Sequence, residues 1–156
     1  MVYAFLLGTL SLIFTIAAII VIIYILSRSD VELGSPVRFY YRLVPLHDHD
    51  VSLDKLVLEL GKRGVYAKKT GVDEVIIDEF IQWKIKIEEI EGRKYLGIEA
   101  GVKTWYLIIT LLALAPYLVL GVLLAVIGFW RFTERQSILR STLIALTGDP
   151  AVASHI

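Results

Sequence analysis

Residues 105–130 read WYLIITLLALAPYLVLGVLLAVIGFW, with no Asp, Glu, Lys, Arg or His among them, and 15 are Leu, Ile, Val or Phe. As a helix rising 1.5 Å per residue, such a stretch crosses a hydrocarbon core of about 30 Å with length left for tilt. Trp105, Tyr106 and Trp130 stand at its ends, where a membrane interface favours amphipathic rings. The stretch therefore reads as a transmembrane helix over 104–130. The chain opens on a second run of this kind. Residues 2–26 carry no ionisable acid or base, 16 are Leu, Ile, Val or Phe, and Tyr3 and Tyr24 flank them. This run lacks a basic leader, is longer than a signal-peptide core and has no small-residue cleavage site before Arg28. It is expected to be a retained transmembrane helix over 1–26.

Outward from these two runs, the rest of the chain is highly charged. The 156 residues hold 16 basic and 16 acidic side chains; 13 of the first and 14 of the second lie between Arg28 and Lys103. Zero net charge thus averages two greasy runs with one polar block. With no cysteine, the chain can build neither a disulfide scaffold nor a thiolate metal site, and nothing in it is polybasic enough for a nucleic-acid binder. Asn is absent too, Gln occurs only at 82 and 136, and the polar block is dense in Lys, Arg, Glu and Asp. That bias is the one seen in thermophile proteins.

The polar block reads as a linker over 27–36, closed by Gly34-Ser35-Pro36, and a small α+β domain over 37–103. Val37, Phe39, Tyr41 and Leu43 alternate with Arg38, Tyr40 and Arg42, so a strand is expected with the first set buried. Ser52 precedes a helix whose apolar positions are Leu53, Leu56, Val57 and Leu60, ending at Gly61 or Gly64. A hairpin around Thr70-Gly71 follows. Ile81, Trp83, Ile85 and Ile87 then alternate with Gln82, Lys84, Lys86 and Glu88, and Glu91-Gly92 turns the chain into a last strand carrying Leu96, Ile98 and Ala100. The expected architecture is an integral membrane protein: two transmembrane helices flanking one helix on a mostly antiparallel sheet of about five strands. A domain of this size is small for standing alone, so it is expected to lean on the membrane, a copy or a partner. Residues 131–156 carry Arg131, Arg135 and Arg140 beside Ile138, Leu139, Leu143 and Ile144, the pattern of an amphipathic tail with its arginines at lipid headgroups.

Two crossings put both termini on one side. The tail arginines favour a cytoplasmic side for them and an extracytoplasmic domain, while the Asn-free composition of the domain points the other way. The location is the cell membrane, as a multi-pass protein, with a slight lean towards the first arrangement. Neither run holds the intramembrane charge that marks a pump or proton relay. Small residues instead form stripes, Gly8, Ser11, Thr15 and Ala18 in the first and Gly121, Ala125 and Gly128 in the second, which suit close helix packing. Pro116 interrupts the second run and is expected to kink it.

Chemistry is thinly signalled. His47, Asp48, His49 and Asp50 form the sharpest cluster, and His47, His49 and Asp50 have the ligand types of a zinc, copper or iron site. A polar turn before a helix draws on the same residues. The basic pairs Lys62-Arg63 and Lys68-Lys69 lack the P-loop pattern and read as solvated charge. The acidic pairs Asp73-Glu74, Asp78-Glu79 and Glu88-Glu89 read as an ion-pair surface. Arg38, Tyr40 and Arg42 form the expected contact row, since interfaces favour Arg and Tyr. No catalytic motif and no cofactor is expected. The expectation is a non-catalytic accessory or scaffolding subunit of a membrane complex, or a homo-oligomer, whose partners are the lipid bilayer and other membrane subunits or copies of itself. A membrane-anchored sensor or ligand-binding module is the alternative, and a membrane-tethered metal-dependent enzyme at His47 and His49 the third.

Overall fold

A computed structural model describes residues 2–27, 34–46, 49, 51–114, 118–154 and 156. They divide into two compact units, Met1–Ser35 with Lys103–Trp130 and Pro36–Val102 with Arg131–Ile156.

The first unit is helical. Helix α1 (Val2–Ser27) is a single 26-residue helix, with Leu6–Tyr24 long and apolar enough to cross a membrane. Its large side chains, from Leu6 to Tyr24, are mostly exposed. The expected second crossing is different in kind. Helix α3 (Thr104–Leu114) has 11 residues, and a new helix, α4, begins at Leu118 and runs to Thr147. Its residues 118–130 turn back along α3. A side chain at Gly121 would fall 2.6 Å from the Leu114 Cα, and Gly128 faces the Tyr106 ring. The Tyr106 hydroxyl donates to the Leu124 carbonyl at 2.6 Å. Along one straight helix, positions 106 and 124 would stand about 27 Å apart. The short helix α3 and the antiparallel first part of α4 therefore replace the single helix expected over 104–130, and a second span is not shown. Residues 115–117, with Pro116, lie outside the described residues. Periodicity could not reveal the reversal, because both arms are uniformly apolar; glycine at 121 is what allows the backbones so close. Helix α1 packs along α3, and the Thr104 hydroxyl and N–H both donate to the Ser35 carbonyl.

The second unit is built on a five-stranded sheet, in the order β1-β5-β4-β3-β2. Its strands are β1 (Pro36–Pro45), β2 (Lys68–Lys69), β3 (Glu74–Ile77), β4 (Ile81–Ile90) and β5 (Arg93–Lys103), with helix α2 (Leu53–Lys62) after β1. Strands β2 to β5 pair antiparallel in sequence order. Strand β1 joins the far edge of β5, with the Leu46 N–H on the Lys94 carbonyl at one end and Pro36 against Gly101 at the other. Alternation places Val75, Ile77, Ile81, Trp83, Ile85, Leu96, Ile98 and Ala100 in one buried face. The β4–β5 turn has Glu91 at φ 52° and Gly92 at φ 75°, the left-handed pair of a two-residue type I′ hairpin. At the other edge, β2 is two residues long and carries Lys68 and Lys69, which blunts it against further pairing.

Helix α2 covers this face with Leu53, Leu56 and Leu60, as its spacing predicts. It does not cover it alone. Leu139 and Leu143 of α4, Val152 of the short helix α5 (Pro150–Ala153) and Ile156 are buried in the same core. Phe132 stacks on Trp83 at 5.1 Å, with the rings 13° from parallel. The segment expected as a tail on the membrane thus completes the domain. It supplies the apolar cover that 65 residues could not, at about 1.5–3 kcal/mol for each fully buried Leu.

Strand β1 also corrects its expected facing. Tyr40 is the residue turned to the core. Its ring meets Trp83 at 5.9 Å and Phe132 at 5.5 Å, and its hydroxyl donates to the Ile156 carbonyl at 3.3 Å. Tyr41 lies on the opposite face, donating to Glu88 at 3.2 Å. Arg38 also reaches that face, so the alternation slips by one residue near Phe39, as it does at a bulge in an edge strand.

Candidate functional site: the polar face of the sheet

Opposite the core, β5 presents Gly97, Glu99 and Gly101. The two glycines leave the strand bare on either side of the carboxylate, and neighbours occupy the space. A side chain at Gly97 would fall 3.1 Å from the Glu88 carboxylate, and one at Gly101 would fall 2.8 Å from Pro36 Cβ. Long side chains from β1 and β4 therefore lie across β5 and enclose Glu99, which is only 7% exposed. A pocket of about 150 Å³ opens beside it, lined by Pro36, Arg38, Gln82, Lys84, Glu99 and Gly101 among others.

An ion-pair lattice surrounds this carboxylate. Arg38 Nε lies 3.3 Å from Glu99 Oε2, and Lys86 Nζ lies 3.5 Å from Oε1 and 3.3 Å from Glu88. Lys84 bridges to Glu74 at 2.7 Å, and Thr70 also donates to Glu74, at 3.0 Å. The hydrogen bond from Lys84 holds the Glu74 carboxyl below the ordinary carboxylate range, against a smaller opposing effect of burial. The bond to Glu88 raises the Lys86 ammonium above its ordinary value. Burial, and then the bond to Glu88, raise the Tyr41 hydroxyl. Although Arg38 is within ion-pair distance, its N–H is not aligned on Glu99 Oε2. That oxygen is buried with no hydrogen-bond partner among the described residues. The lattice thus offers fixed donors and one carboxylate oxygen that is ion-paired to Arg38 without a hydrogen bond. Its hydroxyls, Thr70 and Tyr41, are each held by a carboxylate, Glu74 and Glu88.

The expected site residues scatter. Of the contact row, Arg38 belongs to the polar face, Tyr40 belongs to the core, and Arg42 is exposed on β1. Arg135 is not at lipid headgroups. It is 9% exposed, and its guanidinium donates from Nε and Nη2 to the two Glu79 oxygens; that bond raises its already high pKa. Arg131 pairs with Glu134 at 2.9 Å, and Arg140 is exposed on α4. Of the small-residue stripes, Gly121 and Gly128 serve the close approach of α3 and α4, while Ala125 is exposed. Ala18 is buried, Thr15 bonds to the Ser11 carbonyl, and Gly8 has no neighbour within 4 Å of a Cβ position.

The metal candidates His47 and Asp50, with Asp48, lie outside the described residues. His49 Nε2 lies 3.8 Å from Asp149, and no group of three or more His, Cys, Asp or Glu suited to a metal occurs among the described residues. Lys62 and Arg63 pair with Glu59, and Lys69 with Asp54, so the basic pairs are ordinary helix-end and surface charge.

Sequence reasoning passed over Glu99. The signal was present as Gly97-Ile98-Glu99-Ala100-Gly101, a strand whose polar face alternates glycine, acid, glycine. Glycine in a strand marks close approach, and the residue between two such positions is the one enclosed. No family model, no curated protein and no solved structure matches the chain.

Proposed function

We propose that the chain is a non-catalytic accessory or scaffolding subunit of a membrane protein complex, or of a homo-oligomer. Its first unit is the anchor, and its second presents the sheet domain to partners. The observation that carries this reading is the division of apolar surface. The helices of the first unit expose Leu, Ile, Val, Phe and Trp along their length, from Leu6 through Phe129. The second unit gathers most of its large apolar side chains into one core, leaving Phe39, Leu58, Tyr66 and Val72 singly exposed. Surface of the first kind needs lipid or other apolar helices around it. The polar face of the second unit's sheet is charged and laced by ion pairs, a surface suited to docking.

Glu99 favours a second reading, a membrane-anchored binding module. A buried carboxylate oxygen without a hydrogen bond, beside a 150 Å³ pocket, suits a small ligand carrying N–H or O–H donors. Native mass spectrometry of membranes solubilised in mild detergent separates the two. The subunit reading predicts a defined assembly with other chains or copies. A lone monomer that loses a small bound molecule on Glu99→Gln refutes it and supports the module.

A further inference from the structure

We propose that residues 104–130 form a re-entrant hairpin, inserted into one leaflet of a lipid bilayer and returning to the side it entered. The proposal rests on the membrane reading above, and it adds the sidedness of every part of the chain. Two independent observations meet in it. The first is inside the helical unit, where Tyr106 bonds to Leu124 and the Gly121 backbone lies against Leu114. Contacts of this kind require α3 and residues 118–130 of α4 to lie side by side and antiparallel. The second is inside the sheet unit, which contains both flanks of the segment. Residues 36–102 and 131–156 share one core, in which Trp83 stacks on Phe132 and Leu56 and Leu60 are buried in the same cluster as Leu139 and Leu143. A bilayer cannot pass through a packed core, so a segment that leaves this domain at Lys103 and rejoins it at Arg131 must end on the side where it began.

The dimensions fit one leaflet. Helix α3, at 11 residues, is about 16 Å long, and residues 118–130 extend about 20 Å, against a hydrocarbon half-thickness of about 15 Å. The open end of the hairpin carries Trp105, Tyr106 and Trp130, the ring types that settle at the headgroup boundary. Beyond them, the exposed side chains include Ile109, Leu112, Val119, Val122, Leu123 and Val126. Among the described residues of the arms, the hydroxyls of Tyr106 and Thr110 are satisfied internally. Tyr106 donates to Leu124, and Thr110 donates to the Tyr106 carbonyl at 2.8 Å. Hydrocarbon demands this of any inserted backbone or hydroxyl. Helix α1, about 39 Å long, remains the crossing element, so the N-terminus lies opposite both the sheet domain and the C-terminus.

The absence of cysteine makes the test direct. Tyr3→Cys, Val72→Cys and Ser137→Cys each alter an exposed position, and each full-length variant is labelled in intact cells and after permeabilisation with a membrane-impermeant maleimide. The hairpin predicts that 72 and 137 react together on one side and that 3 reacts on the other. Reaction of 72 and 137 on opposite sides overturns the hairpin, and reaction of all three together overturns the crossing by α1. Release of the chain from membranes by alkaline carbonate would refute the membrane reading itself, whatever the labelling pattern.

Discussion

Leu143 and Ile144 are neighbours on α4 and were both expected to face lipid, yet Leu143 is fully buried in the sheet core and Ile144 is 36% exposed. Truncating each to Ala separates the two accounts of residues 131–156. Leu143→Ala removes three carbons from a site with no solvent exposure and leaves a cavity among the core side chains of the second unit. Leu→Ala changes of this kind cost about 2–5 kcal/mol, and about 3 kcal/mol is expected here. Ile144→Ala removes atoms that already meet solvent and is expected to cost less than about 1 kcal/mol. Hydrogen exchange of the full-length chain in mild detergent reads the difference where it matters. The slowest amides of β4 and β5 exchange through opening of the sheet domain, so a loss of about 3 kcal/mol speeds them about a hundredfold. The Ile144→Ala variant should leave them within about fivefold of the parent. A tail lying on the membrane would leave these amides unchanged in both variants. That result, or equal acceleration in the two, would refute the placement of α4 in the core.

Glu79→Gln leaves the Arg135 guanidinium, 9% exposed, without its carboxylate, and about 2–4 kcal/mol of domain stability is expected to be lost in urea unfolding. Gly101→Ala sets a Cβ 2.8 Å from Pro36 Cβ and 3.0 Å from the Val37 carbonyl oxygen; backbone on one side prevents relief, and about 1–3 kcal/mol is expected to be lost in the same assay. Glu91 is a non-glycine residue at φ 52° in the β4–β5 turn, so Glu91→Asn should stabilise the domain by about 0.5–1 kcal/mol and raise its unfolding midpoint. The Glu74 carboxyl is held below the ordinary range by Lys84. Its pair therefore contributes fully above the unfolded carboxylate value of about 4.3, and the contribution fades as pH falls through the lower folded value. Lys84→Met should destabilise the domain at neutral pH, and the gap from the parent should close in acid; a gap independent of pH contradicts the pairing.

Most of the sheet domain was legible because its strands obey a two-residue period. Ile81, Trp83 and Ile85 against Gln82, Lys84 and Lys86, and the leucines of α2, each name their own buried face. The hairpin turns were legible in Thr70-Gly71 and Glu91-Gly92. Strand β1 was misread because an edge strand can slip its alternation, and Tyr40 and Tyr41 carry the same chemistry to either face. Greater error came from composition without period. In 104–130 every face is apolar, so the pattern permits one long helix or two short ones, and only long-range contacts such as Tyr106 with Leu124 distinguish them. Residues 131–156 show an amphipathic stripe, which the surface of a bilayer and the open face of a sheet satisfy equally well. The shortage of cover on a 65-residue domain was the clue that the stripe belonged to the sheet. Glu99 was hidden for the opposite reason: one acid in a charged strand says little until the glycines beside it are read as a cradle.

The fold-back of residues 104–130 is the claim on which the sidedness of the chain depends, and one distance decides it. Trp105→Cys with Phe129→Cys places two spin labels in an otherwise cysteine-free chain, at exposed positions on the two arms. Double electron–electron resonance on the full-length protein in lipid nanodiscs should give a distance below about 20 Å, since packed helices lie 8–10 Å apart. A single helix across the bilayer would hold the same two positions about 36 Å apart, and a distribution centred there would contradict the hairpin.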